Sequence, residues 1–123
     1  MVLRAVLDQG EEAAGWVGRL EDADFVAAVP DLLFPEVGQA LLGYVKRGRL
    51  SLSGAQEQLD FVCELPFNVC PTSQLVVSAV AVAEARQLSV YDACYAVLAE
   101  VKQAVLVTAD RRLAAAVTRA ELV

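Results

Sequence analysis

The sequence contains no histidine among its 123 residues. That absence removes every mechanism with a histidine general base, every Ser-His or Cys-His nucleophile pair and every histidine-ligated zinc site. Cysteine is scarce: Cys63, Cys70 and Cys94 form an odd set with no CxxC spacing. They read as buried apolar fillers in a reducing compartment rather than as disulfides or ligands. Positive charge is in deficit, with 10 Lys+Arg against 16 Asp+Glu and a net charge of −6. This argues against a protein that holds nucleic acid by a basic surface, which needs clustered cations. It leaves nucleic acid open as a substrate, because bound divalent ions can supply the positive charge. Long apolar runs are missing too: residues 75–83, broken by Ser78, fall short of the roughly 20 residues that span a bilayer. Residues 1–8 carry an Arg and no small-residue cleavage site, unlike a signal peptide. The expectation is a cytoplasmic domain with no membrane partner. With 57% apolar and 21% charged residues, the chain is suited to one compact domain. Its chemistry falls to carboxylates, hydroxyls, amides, Lys and Arg.

The pattern along the chain alternates short apolar runs with helical stretches. Residues 11–20 have helical composition. Residues 25–29 read as a short buried strand ending at Pro30. Asp31 is placed to cap a long helix through Val45, with Pro35 in its first turn and Gly48 past its basic end at Lys46 and Arg47. Ser53 and Gln56 have capping-box spacing for a helix to about Glu64. Residues 68–70 are a strand candidate, and Thr72 or Ser73 opens a very apolar helix to Gln87. Ser89 opens the next helix, to about Val101. Residues 104–108 read as a fully buried strand, and Asp110 caps a last helix over residues 111–117. Short, non-alternating strands separated by helices imply a parallel sheet covered on both faces, so the expected class is a three-layer α/β/α fold with a central parallel sheet.

In such sheets, sites form beyond the carboxyl ends of the strands. Glu36 falls in the first turns of the helix after the strand at 25–29, Asp110 just past the strand at 104–108, and Asp92 in the first turn of the helix opened by Ser89. If these helix starts share one edge, the three acids face one crevice. Carboxylates at ~4–6 Å repel each other unless a cation lies between them. Mg²⁺ or Mn²⁺ suits such a set of hard oxygen donors and can activate water against a phosphodiester without histidine. Each acid also has a plain structural reading: Asp92 as part of a capping box, Asp110 as an N-cap, Glu36 as a charge favoured at the positive end of its helix.

Four stretches then carry a resemblance. PDLLFPEVGQAL (residues 30–41) resembles the E-x-x-N-A-L segment of PIN-domain proteins, especially VapC-type toxins. RGRLS (47–51), SVYDACYAVLAE (89–100) and LVTADRRL (106–113) resemble, in order, the turn that often follows it, the T-x-Y-D-A-x-Y-x-x-L-A-E segment and the L-V-T-A-D-x-x-L segment. The resemblance implies a PIN-like fold and a Mg²⁺- or Mn²⁺-dependent ribonuclease. Glu36, Asp92 and Asp110 match three of the family's metal-binding acids. Thr108 and Ser89 match hydroxyl positions, and Gln39 stands where the family usually has Asn. RNA is then the substrate and a small antitoxin the partner. Separately, the 57% apolar composition and the hydrophobic helix near residues 75–85 point either to a homodimer or to a central helix buried on all sides. The family also begins with a strand ending in Asp. Two registers fit here. In one, residues 1–7 are the end of the following helix, so the first strand and its Asp are missing; word matching and Arg4 favour it, and it is the register preferred. In the other, residues 2–7 are that strand and Asp8 its Asp; sheet completeness favours it. A catalytically weakened PIN-like module is the alternative if that acid is lacking.

Overall fold

The structure, a computed structural model, describes residues 2–4, 18–19, 26–108 and 110–122. Among these, the strands β1 (Val2–Arg4), β2 (Ala27–Pro30), β3 (Phe67–Cys70), β4 (Leu106–Thr108) and β5 (Ala120–Leu122) form one sheet in the order β3-β2-β1-β4-β5. Every pairing is parallel. The helices are α1 (Leu33–Lys46), α2 (Leu52–Glu64), α3 (Val76–Arg86), α4 (Val90–Val101) and the short α5 (Arg111–Ala115), with a 3₁₀ turn at Thr72–Gln74. A parallel sheet with helical crossovers is the α/β class expected.

The centre of the sheet corrects the preferred register. Val2–Arg4 is a strand with partners on both sides, Val2 opposite Ala28 and Leu106, and Arg4 opposite Thr108. The first strand is therefore present at residues 2–4. A strand of three residues has too little pattern to be read locally, and its hydrogen bonds come from chain segments far away. Arg4 pairs with Thr108, the last residue of β4. The role of Asp8 lies outside the described residues, as does most of the helix expected over 11–20; Gly18 and Arg19 are helical.

Burial follows the pattern of a covered sheet. All four residues of β2 and all three of β4 are buried, whereas β3 is partly exposed at one edge. Helix α1 buries Leu33, Val37 and Leu41, one residue per turn on one face. Its end is a Schellman motif: Gly48 takes φ +72°, Gly48 N–H donates to Val45 O at 3.0 Å and Arg49 N–H to Tyr44 O at 3.0 Å. A left-handed residue there is why glycine follows the basic turn.

Helix α4 is the helix at the heart of the core, buried continuously from Ala93 to Ala99, and it contacts β1, β2 and β4. Helix α3 packs along it through Ala79 and Ala83 and leaves Val77 83% and Val80 54% exposed. The apolar stretch near residues 75–85 is thus a two-sided element with one face uncovered. Three smaller expectations change. Ser51, not Ser53, caps α2, accepting from Gly54 N at 3.0 Å. The helix expected from Thr72 begins as a 3₁₀ turn and becomes α-helical at Val76. Cys63 is exposed, Cys70 intermediate and only Cys94 buried. No helix among the described residues is long and apolar enough to cross a membrane.

Candidate active site at the carboxyl edge of the sheet

Register fixes where the acids enter. Ala28 and Leu106 both lie opposite Val2, so β2 and β4 end level, two residues further on, at Pro30 and Thr108. Pro30 is also paired with Cys70, the last residue of β3. Three strands therefore finish at one edge. Glu36 enters from α1 just beyond it, and Asp110 from the turn after β4. Helix α4 runs back to the start of β4 through a short connection, so its amino end, with Ser89 and Asp92, lies toward the same edge.

One contact ties these segments together. Tyr95, fully buried on α4, donates its hydroxyl to Glu36 Oε1 at 2.5 Å. An ionised acceptor makes such a bond short and strong. Asp92 is one turn earlier than Tyr95 on α4, three residues away and so on the same side of the helix. Sequence reasoning passed over Tyr95, although it belongs to the quoted segment and its spacing from Asp92 was a usable signal.

The structural roles of the other candidates are visible too. Ser89 is the N-cap of α4, its Oγ accepting from Asp92 N at 3.0 Å. Asp110 is the N-cap of α5: its Oδ1 accepts from Arg112 N at 3.0 Å and Leu113 N at 3.2 Å. Thr108 is fully buried, and its Oγ1 accepts from Asp110 N at 3.0 Å, which orients the turn that carries Asp110. Gln39 is exposed on α1, one turn beyond Glu36. Asp31 does not cap α1; the N-cap position is Leu32 with no side-chain bond. Asp31 Oδ1 instead accepts from Thr72 N at 3.1 Å, joining the ends of β2 and β3. A local capping signal was overridden by a partner 41 residues away.

Cys94 adds an electrostatic marker. Burial, then the negative charges of Asp31 and Glu36, push its thiol above the ordinary value. The thiol therefore stays protonated near neutrality. The side chains near this edge offer carboxylate and hydroxyl oxygens, the donor types that hard divalent cations take. Among the described residues, no group of three or more Asp, Glu or Cys stands close enough to hold a metal ion.

Comparison with known proteins agrees with this architecture. The model of the PIN domain matches residues 2–118. The chain belongs to the PIN-domain family. A solved structure, that of PAE2754 from Pyrobaculum aerophilum, is similar over 98% of this chain and 87% of that one, with 30% sequence identity and a TM-score of 0.77. The search of curated proteins gives no match. PIN domains are in general nucleases that act on RNA and typically use divalent metal ions.

Proposed function

We propose that this PIN domain is a Mg²⁺- or Mn²⁺-dependent endoribonuclease and the toxin of a toxin–antitoxin pair, with its helices covering both faces of the sheet in three layers. Glu36, Asp92 and Asp110 would hold the metal; when bound, it supplies an activated water and charge stabilisation at the phosphodiester. Tyr95 holds the Glu36 carboxylate in position through its hydroxyl. Thr108 holds the turn of Asp110, and Ser89 starts the helix of Asp92. The observation that carries this reading is the Tyr95–Glu36 hydrogen bond, which joins α1 to α4 at the edge where β2 and β4 end level. A small antitoxin covering the carboxylate edge, and a homodimer using the exposed valines of α3, belong to the same reading.

The test is cleavage of single-stranded RNA with added Mg²⁺ or Mn²⁺. Activity should vanish on chelation and in Asp92→Asn, with the circular dichroism spectrum unchanged. Wild-type cleavage by Asp92→Asn refutes the assignment of that acid. A second reading, a weakened PIN module that binds or assembles without cutting, follows if the acid that ends the family's first strand has no counterpart in this chain. Calorimetric titration with Mn²⁺ separates the two: a well-folded sample with absent affinity supports the module.

A further inference from the structure

Beside the Glu36–Tyr95 pair lies a cleft of about 470 Å³, within the range of small-molecule sites. It opens between the start of α1, the 3₁₀ turn and the amino end of α4. Its walls include Pro35, Val76 and Cys94, with Asp31, Thr72 and Tyr91 as the polar groups. Pro35 is the residue before Glu36, and Tyr91 the residue before Asp92, so the cleft is walled by the same two helix starts that carry these acids. Tyr91 is 64% exposed. The carboxylate of Asp31 is held by the Thr72 amide.

We propose that this cleft receives one unpaired nucleobase of the RNA strand, stacked on Tyr91 and read by Asp31. The inference rests on the ribonuclease reading and names a specificity element for it. Single-stranded RNA is recognised by splaying out bases, stacking them on aromatic rings and bonding their edges. A carboxylate only accepts hydrogen bonds, so it favours a base whose donor is an amino group, as at cytosine N4, over uracil, whose one donor, N3–H, is flanked by two carbonyl oxygens that the carboxylate repels. The negative charge of Asp31 repels a phosphate, so the cleft suits a base rather than the backbone. The apolar walls match the face of a base.

The experiment measures binding of fluorescein-labelled single-stranded RNAs by anisotropy in calcium buffer, with cytosine or uracil at one varied position and identical flanks. Cleavage of the same RNAs with Mg²⁺ or Mn²⁺ runs alongside. Wild type should prefer cytosine. Tyr91→Ala should weaken binding about tenfold or more, and Tyr91→Phe should bind like wild type. Asp31→Asn keeps an oxygen for the Thr72 amide and turns a donor to the cleft, so it should erase or reverse the preference for cytosine. If wild type binds and cleaves RNA while Tyr91→Ala stays within twofold and Asp31→Asn keeps the preference, the cleft assignment falls and the ribonuclease reading stands. If wild type neither binds nor cleaves RNA, both fall.

Discussion

Replacing Tyr95 by Phe removes one oxygen from a fully buried ring and with it the hydrogen bond to Glu36 Oε1. The ring remains, so packing against the sheet is nearly unchanged and the loss is that of the bond itself. Hydrogen bonds to charged groups contribute about 1.5–3 kcal/mol. Glu36 is only half-buried and water can replace part of the bond, so the lower half of that range applies, about 1.5–2 kcal/mol. For a chain of this size, that lowers Tm by roughly 5–9 °C. The clean assay is a double-mutant cycle with Glu36→Gln, each variant unfolded in urea. Glu36→Gln keeps an acceptor but removes the charge, so the two changes should be coupled by about 1 kcal/mol. A parallel RNA-cleavage assay should show Tyr95→Phe reduced more in kcat than in KM, as fits a positioning residue. A coupling energy below about 0.3 kcal/mol would refute the claim that this bond joins α1 to α4.

Asp110 has two roles that a pair of substitutions separates. Asp110→Ala should cost about 1 kcal/mol of stability through loss of the α5 cap, whereas Asp110→Asn keeps the cap and should abolish cleavage with Tm nearly unchanged. Equal activity in Asp110→Asn and wild type would leave that residue a cap alone. The raised pKa of Cys94 predicts a pH effect. The unfolded chain loses the thiol proton near the ordinary value of 9.0, before the folded chain does. Stability from this group is complete below that pH and falls as pH rises above it. The decline should be shallower in Cys94→Ala, measured by urea unfolding across the alkaline range. Sedimentation at micromolar concentration should show a dimer that Val77→Glu dissociates; a wild-type monomer would count against the association expected of α3.

Much of the site was readable before folding, because the capping chemistry that marks helix starts is local. Ser89 and Asp110 take the roles their neighbours dictate: each side chain bonds backbone within three residues, and that needs no tertiary partner. Of the run expected as a buried strand at 104–108, Leu106–Thr108 form the buried β4, whereas Val105 ahead of it is 37% exposed. Asp31 was misread for the opposite reason. Its local position fits a cap, but its partner is an amide 41 residues on. Tyr95 passed unnoticed because an aromatic on a buried helix reads as core; only the approach of α1 gives its hydroxyl a function.

The order of residues by itself determined most element types, the helix starts at Ser89 and Asp110, the helix end at Gly48 and the acids available for chemistry, since each depends on spacing and on bonds made within a few residues. Tertiary structure alone decided that Val2–Arg4 is the central strand, that α4 rather than α3 is the helix enclosed by the core, and that Glu36 meets Tyr95. These depend on which distant segments pair, and a strand's hydrogen bonds are satisfied by its neighbours in space rather than by its own sequence.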